Sequence, residues 1–526
     1  MSLRDTAPLL SSTKEQIAER LQTLKELKSG RGSLAGKTIS GLGWSLGTQA
    51  LKQGFQFVIT VFLARLLTPR EFGLVAMAIV FSGFASLFND LGFGAALVQR
   101  REIEERHYCS VFWMNVMFGI VLGGFLAASS PLIARFYHEP RLIPVTVLIS
   151  LCFPIGSVAI VQRSRLTRQM DFRSLGLIDI VNVTVSGFIA IMMGWLGFGV
   201  WSLVCQILCL AVFEVIGLWV ASDWRPSMSF DRASIGELLE FSSNLTGFTV
   251  INYWYRNGDN LLVGKFFGGA ALGIYSRAYN LMLLPLSQIT YVVSKVMFPA
   301  LSRLQDDKDR IKNIYLRSIA MIALVTFPMM MGLLVVADHF ILAIYGPKWS
   351  GVIPILRVFC ILGMVQSVYS TIGWIYQSQG RTDWMFRWGI FSACLSVMAM
   401  GLGVWLGSPL AIAACLTVMG ILLLPPGFDI PGKLISVTKR DVAQSVSGVS
   451  ICAAAMAFSV WILEVVLPGG WSQWAYLGLE TSFGAVVYFL LIHFSRLAPY
   501  LEFRDIVARQ IDTAFNLSAA SSSPRS

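Results

Sequence analysis

Long apolar segments, each about the length of a membrane-spanning helix, recur along almost the whole chain. A helix that crosses the hydrocarbon core of a bilayer needs about 20 largely apolar residues. Fourteen segments meet this requirement: 40–66, 72–98, 108–130, 141–162, 176–196, 199–221, 236–264, 271–300, 314–336, 351–377, 384–405, 408–428, 442–464 and 473–494. The sequence therefore predicts an all-α, polytopic membrane protein.

The distribution of basic residues predicts the orientation. With the N-terminus placed in the cytoplasm, the inner segments carry 30 of the 41 Lys and Arg, the outer loops carry six, and five lie within the spans. Because cytoplasmic loops concentrate Lys and Arg, both termini are expected inside. A basic inner face that meets anionic lipid headgroups also accounts for the net charge of +11. We therefore expect membrane lipids, and no nucleic acid, as partners.

Little of the chain lies outside the predicted spans. Residues 1–38 are charged and contain an S-x-x-E capping box at Ser12 and Glu15, followed by apolar residues at helical spacing, which indicates a cytoplasmic amphipathic segment. Residues 496–526 form a cytoplasmic tail. The outer loops are short, and no Walker-type loop, metal-ligand spacing or catalytic set is present. We expect a transporter without a cofactor or a metal, whose function resides among the helices.

A weak internal repeat relates the two halves of the chain. ARLLTPREFGLV at 64–75 aligns without a gap with GKFFGGAALGIY at 264–275, so that Gly73 corresponds to Gly273. Each copy joins the first two spans of a six-span unit. Because six is even, the copies share one orientation, as in parallel-repeat transporters, where a site is expected near the midplane between the halves.

The repeat predicts the domain organisation. Two six-helix bundles are followed by two additional helices. The predicted bounds are 39–233 for the N-lobe (helices 1–6), 234–428 for the C-lobe (helices 7–12) and 429–495 for helices 13 and 14.

Two stretches resemble a known family. They are LARLLTPREFGLVAMA…FNDLGFGAALVQR (63–99) and NGDNLLVGKFFGGAALGIYSRAYNLMLLPLSQI (257–289). Six residues of the second stretch fit the family's usual pattern: Asp259, Gly264, Gly273, Tyr275, Ala278 and Pro285. With the fourteen-span layout, about residues 38–495 resemble the Wzx-type polysaccharide repeat-unit flippases. These are polysaccharide transporters in the superfamily that includes MATE exporters and lipid II flippases.

The resemblance implies a V-shaped pair of six-helix bundles around a cavity that opens alternately to each side of the bacterial cytoplasmic (inner) membrane. The implied cargo is a short oligosaccharide on an undecaprenyl pyrophosphate carrier. It would move from the inner to the outer leaflet for exopolysaccharide, capsule or O-antigen (lipopolysaccharide) synthesis. The polymerase and co-polymerase of the same export pathway are the implied protein partners.

Lys and Arg within the spans are the candidates to hold the pyrophosphate. A charged group at mid-bilayer costs about 2.5–3.5 kcal/mol even on insertion scales, so it must face a cavity or a partner. Arg is the cation that most reliably keeps its charge there. The predicted cavity residues are Arg256, Lys52, Arg277, Arg357, Asp259, Asn257, Asn260 and Lys295.

Each of the charged residues has an alternative role. Asp259 follows Arg256 by three residues on the same helix face, so the two could instead form an ion pair that locks span seven. Lys52 could belong to a buried ion pair. Arg277, Arg357 and Lys295 could extend to the lipid headgroups.

Acidic residues within the spans are the candidates for ion coupling: Asp90, Glu214 and Asp259. Two rival functions remain open. A MATE-like exporter of cationic molecules would favour acids in its cavity, whereas the five intramembrane cations favour anionic cargo. A glycan polymerase or ligase is disfavoured by the short outer loops. The glycan, the driving force and the oligomeric state stay open.

Overall fold

The structure, a computed structural model, describes residues 44, 47–90, 92–100, 103–229, 231–304, 307–502 and 504–505. Side chains are described for the same residues except 232–252, 255, 291–292, 295–296 and 298–300. The predicted amphipathic segment at 1–38 and most of the C-terminal tail lie outside these residues. Within them, the secondary structure is helical and contains no strand.

The first half of the chain forms helices joined by short connections. They are α1 (47–66), α2 (Pro69–Ser86), α3 (Phe93–Gln99), α4 (Glu105–Tyr137), α5 (Leu142–Ser150), α6 (Cys152–Arg168), α7 (Phe172–Trp195) and α8 (Val200–Ala221). The predicted span 72–98 is divided into α2 and α3, and a left-handed Gly92 (φ 82°) precedes α3. Glycine adopts this conformation without the steric cost that a Cβ would add.

The second half begins with α9 (Arg232–Arg303), which covers two predicted spans. The remaining helices are α10 (Lys308–Val335), α11 (Ala337–Ile344), α12 (Val352–Tyr369), α13 (Ile372–Ser378), α14 (Thr382–Trp405), α15 (Pro409–Ile435), α16 (Lys439–Val466) and α17 (Gln473–Phe494). Gly268, at φ 81° and ψ −179°, interrupts α9. This break lies between the two spans predicted from the sequence.

Polar residues fix the beginnings of several helices. The Asp171 carboxylate accepts a hydrogen bond from the Ser174 amide at the start of α7. Thr438 and Asp441 form a reciprocal capping box at the start of α16. These side chains satisfy amide groups that have no partner within the helix, and such caps contribute about 1 kcal/mol each.

Ten helical segments of the described residues are long and apolar enough to span a membrane. In two of them a pair of short helices forms one span, α5 with α6 and α12 with α13. The predicted fold class, an all-α polytopic membrane protein, is confirmed, whereas the count of fourteen spans stays a prediction.

The chain divides into two compact units. Unit 1 comprises 1–63, 82–130 and 146–250, and unit 2 comprises 64–81, 131–145 and 251–526. Unit 1 contains a core in which Phe93, Phe112 and Trp224 are buried. The predicted lobe bounds at 39–233 and 234–428 follow the repeat rather than this division, and they stay a prediction.

The core of unit 2 is built around α10, α13, α15 and α16. Ile319, Ala323, Trp374 and Ala453 are buried there. At its centre the hydroxyl groups of Tyr315 and Thr371 lie 2.9 Å apart, and both side chains are fully buried. This hydrogen bond satisfies two polar groups that the apolar surroundings would otherwise penalise.

The glycines of the internal repeat form a close helix crossing within unit 2. A Cβ placed on Gly73 would lie 1.7 Å from the Gly269 carbonyl oxygen, and a Cβ on Gly273 would lie 1.9 Å from the Pro69 carbonyl oxygen. Pro69 and Gly269 are themselves related by the repeat offset of 200 residues. The contact is therefore reciprocal, as in a two-fold interface, and α2 and α9 approach backbone to backbone.

Candidate functional site

A cavity of about 470 Å³ lies within unit 2, between α9, α12, α14 and α15. Its apolar lining comes from leucines, Val365 and Met400. Its polar lining is Arg256, Asp259, Tyr279, Ser287, Thr290, Ser294, Gln366, Tyr369, Ser370 and Ser396. A mostly apolar pocket with a few polar groups is typical of a small-ligand site, and this volume lies within the usual range of about 300–1,000 Å³.

Arg256 is the cationic group of this cavity. Its side chain is exposed on the cavity lining. It forms no ion pair or hydrogen bond with any residue that the structure describes. An arginine within an apolar span that keeps its charge needs an anionic or polar partner, and a ligand in the cavity could supply one.

Asp259 lies in the same cavity lining but is bound elsewhere. Its side chain is 3% exposed. One carboxylate oxygen accepts a hydrogen bond from the Tyr275 hydroxyl at 3.0 Å, and the other accepts one from the Asn260 amide at 2.8 Å. The alternative expected from the sequence, an Arg256–Asp259 ion pair, is not formed. Asp259 fixes the first part of α9 against its second part.

The two asparagines beside Arg256 differ in their contacts. The Asn257 side-chain amide donates to the Tyr253 carbonyl one turn earlier, at 3.0 Å. The Asn260 side-chain oxygen is buried and accepts no hydrogen bond from the described residues. The Tyr253 hydroxyl in turn donates to the Val80 carbonyl at 2.6 Å, so that the polar stretch of α9 is anchored to α2.

Arg277 does not line the cavity. Its guanidinium carbon lies 4.6 Å from the ring centroid of Phe72, 5.8 Å from that of Trp349 and 5.9 Å from that of Tyr345. Cation–π contacts of this kind are worth about 2 kcal/mol when they are desolvated. Arg277 therefore connects α9, α2 and the segment after α11, and its guanidinium is held among three aromatic rings.

The other two predicted cations of the second half give no support to a shared site. Arg357 of α12 forms an ion pair with Asp338 of α11. The side chain of Lys295 lies outside the described residues. Of the four predicted cations in the second half, Arg256 alone is placed in the cavity by the described contacts.

Lys52 belongs to a charged network in unit 1. Its ammonium lies 2.9 Å from one Asp179 oxygen, while the other oxygen lies 2.8 Å from the Arg163 guanidinium. Arg163 also contacts Glu214 at 2.9 Å. The four side chains come from α1, α6, α7 and α8, are one fifth to two fifths exposed, and together carry no net formal charge.

The sequence-predicted coupling acids each have a partner. Glu214 accepts from Arg163 in that network. One Asp90 oxygen accepts a hydrogen bond from the Gly94 amide at 2.8 Å, near the beginning of α3. Asp259 is bound to Tyr275. No group of His, Cys, Asp or Glu suited to a metal ion occurs in the described parts of the chain.

Several cavity and network residues were missed by the sequence reasoning. Arg163 and Asp179 lie near predicted span ends, where charges are ordinary, and only the packing of four helices brings them to Lys52. Tyr279, Gln366 and Tyr369 are polar or aromatic residues within spans of ordinary composition. No sequence spacing predicts that they share a site, because they come from two helices, α9 and α12, that line the cavity together.

Comparisons with known proteins give a consistent result. Residues 62–354 match the family described as polysaccharide biosynthesis protein. The teichuronic acid biosynthesis protein TuaB of Bacillus subtilis is 30% identical over 428 residues, which is 81% of this chain and 88% of TuaB. The lipopolysaccharide biosynthesis protein WzxC of Escherichia coli is 28% identical, over 70% of this chain and 76% of WzxC.

Among solved structures, the lipid II flippase MurJ in an inward closed conformation is similar, with a TM-score of 0.70. The similarity covers 88% of this chain and 98% of MurJ at 14% identity. At that identity the likeness concerns the fold. The family resemblance expected from the two sequence stretches is confirmed by the family match and the relatives together.

Proposed function

This chain belongs to the polysaccharide biosynthesis protein family, and we propose from that premise that it is a flippase for lipid-linked saccharides. It acts as a multi-pass membrane transporter and not as an enzyme. The relatives named for lipopolysaccharide and teichuronic acid biosynthesis support a saccharide cargo. The fold shared with a lipid II flippase supports movement of that saccharide on a lipid carrier.

The observation that carries the proposal is the position of Arg256. A lipid-linked saccharide has a phosphate-bearing linkage, a hydroxylated glycan and an apolar tail. The phosphate needs a cation, and Arg256 is a cation on the cavity lining that no described residue neutralises. Hydroxyl and amide groups of α9, α12 and α14 line the same cavity and can bind glycan hydroxyls.

The finer assignment rests on the family resemblance and, for the orientation, on the distribution of Lys and Arg. We propose that the carrier is undecaprenyl pyrophosphate and that the cargo moves from the inner to the outer leaflet of the bacterial cytoplasmic membrane, with both termini in the cytoplasm. The cavity would open alternately to the two sides. The polymerase and co-polymerase of the export pathway would receive the cargo.

The leaflet that holds the stalled cargo tests this function. In a strain that lacks the chain, lipid-linked repeat units should accumulate on the cytoplasmic leaflet, where an impermeant periodate or lectin probe cannot reach them. Single repeat units accumulated on the outer leaflet would instead identify a polymerase. That result would overturn the proposed function.

The role of Arg256 needs a matched control. R256Q should lower glycan export by at least about tenfold, since a lost charge-assisted contact to phosphate is worth about 1.5–3 kcal/mol. R317Q removes the same charge outside the cavity, where Arg317 pairs with Glu502 at 3.3 Å, and should preserve export. Membrane levels of both variants are measured alongside. Equal export by R256Q and R317Q at equal levels would exclude the cationic role.

A further inference from the structure

Glu480 is an acidic residue buried within α17. Its side chain is 1% exposed, and neither carboxylate oxygen accepts a hydrogen bond from any residue that the structure describes. An ionised carboxylate in an apolar helix bundle is costly unless donors or a cation compensate the lost water. Ionisable residues within membrane spans are rare and usually mark functional sites. The cargo cavity makes no use of this one.

His339 of α11 is the group that faces Glu480. Its Nε2 lies 3.4 Å from Glu480 Oε1 and 3.8 Å from Glu464 Oε1 of α16. On the other side of the ring, Nδ1 lies 2.7 Å from Gln473 Oε1 of α17. The imidazole stacks on the Tyr476 ring with 4.6 Å between centroids. The ring is thus held between two carboxylates and an amide.

The charge of this cluster depends on bound protons. Two further charged residues lie nearby, Asp338 of α11 and Arg357 of α12, and they neutralise each other in an ion pair. What remains is His339 with two carboxylates. Without a bound proton the three groups carry two negative charges, and each proton removes one. Of these three groups Glu480 is the one that is fully buried, and its oxygens have no hydrogen-bond donor among the described residues, so a bound proton compensates a charge that is otherwise left without water.

The contacts of the imidazole locate that proton. The Gln473 amide oxygen faces Nδ1 at 2.7 Å, and a hydrogen on Nδ1 satisfies that contact. A neutral ring would then direct the Nε2 lone pair at the Glu480 and Glu464 oxygens, which is repulsive. A proton on Nε2 replaces that repulsion with an ion pair between the imidazolium and the Glu480 carboxylate 3.4 Å away.

We propose that His339 and Glu480 form a proton-binding site, with Glu464 as its second carboxylate, which holds α17 and α16 against α11. The same region is connected to α1. Arg65 donates to the Ala343 and Ile344 carbonyls at the end of α11, and its guanidinium lies 5.8 Å from the Trp474 ring centroid of α17. Proton loss would loosen the packing of α17 next to this connection.

Thermal unfolding of the full-length protein in lipid nanodiscs tests the site. The folded state holds a proton that the unfolded chain releases, so stability should fall as pH rises. From about pH 5 to about pH 9, the unfolding midpoint of the wild type should fall at least twice as far as that of E480Q. E502Q removes a carboxylate that pairs with Arg317 elsewhere, and it should keep the wild-type dependence. Equal slopes for wild type and E480Q would overturn the proposal.

A spectroscopic measurement serves if E480Q does not fold. In wild-type protein at about pH 6, the shared proton must appear on one partner. It gives either the infrared carbonyl band of a protonated carboxyl group or the ¹⁵N shift of a protonated imidazole, which H339Q assigns to His339. Absence of both signals would overturn the site. Neither measurement depends on transport, so its failure leaves the proposed flippase function in place, and a failed leaflet experiment leaves the proton site in place.

Discussion

The glycine crossing of α2 and α9 yields the sharpest stability prediction. In G73A the added methyl carbon would lie 1.7 Å from the Gly269 carbonyl oxygen and 2.4 Å from its carbonyl carbon. The obstacle is backbone, so no side-chain rotation relieves it. A carbon and a carbonyl oxygen approach to about 3.3 Å at closest. The two helices must therefore separate by about 1.5 Å at this point.

The energetic cost follows from that separation. Overpacking by one methyl group usually costs about 1–3 kcal/mol, and a backbone obstacle places G73A at the upper end. Replacing a helical glycine with alanine stabilises the helix by about 1 kcal/mol, because alanine has the higher helix propensity. The net destabilisation is about 2 kcal/mol. G273A meets the Pro69 carbonyl in the same way, and because one helix separation relieves both contacts, G73A/G273A should cost less than the sum of the single variants.

Thermal unfolding in nanodiscs measures these differences, which for a chain of 526 residues correspond to a midpoint lowered by about 2 °C. G389A is the matched control, because Gly389 of α14 has open space where its Cβ would stand, and it should be neutral or slightly stabilising. An unfolding midpoint for G73A equal to that of G389A would refute the backbone-to-backbone crossing. Strict additivity in the double variant would refute the shared separation.

The other predictions concern charges and caps, and each is checked by unfolding measurements on purified protein. R277K should destabilise the protein by about 1–2 kcal/mol, because an ammonium cannot stack on the three aromatic rings as a guanidinium does. An unchanged stability in R277K would show that these ring contacts do not stabilise the fold. K52Q and D179N should each lower the free energy of unfolding by more than half of the loss in K52Q/D179N. The coupling energy between the two residues should be about 1 kcal/mol or less, because their side chains are partly exposed. A coupling energy of zero would mean that the ion pair contributes nothing to stability. T438A removes the α16 capping box and should cost about 1 kcal/mol, whereas T438S should retain most of the stability, and equal losses in the two would contradict the cap.

Much of the fold is legible in the sequence because membrane helices obey a strong local rule. About 20 apolar residues must form their backbone hydrogen bonds within the segment, so all ten apolar helical segments of membrane-spanning length in the described residues overlap predicted spans. What the spans do not specify is where a helix breaks inside an apolar run. The turn before α3 depends on Gly92 in a left-handed conformation. The sequence around an isolated glycine in an apolar run does not indicate which backbone conformation the glycine adopts.

The site was less predictable because ion pairing is a property of tertiary packing. The rule that an intramembrane charge must face a cavity or a partner holds for Lys52, Arg256, Arg277 and Arg357, yet it leaves the choice open for each. Arg277 contacts aromatic rings, Arg357 forms an ion pair with Asp338, and Lys52 forms an ion pair with Asp179. These partners come from other helices, at sequence distances that no motif spans.

The contrast between Lys52 and Arg256 decides which cation can hold an anionic cargo. Both lie in the first helix of a predicted six-helix repeat, but Lys52 shares Asp179 with Arg163, within a network of zero net charge. An anion that binds Lys52 must displace the Asp179 carboxylate, which then keeps only Arg163 as a partner in a partly desolvated place, and this cancels much of the gain. Arg256 carries no such cost, because Asp259, the nearest acid in sequence, is already occupied by the Tyr275 hydroxyl and the Asn260 amide. The hydrogen bonds that satisfy Asp259 are therefore what leave the positive charge of Arg256 available in the cavity.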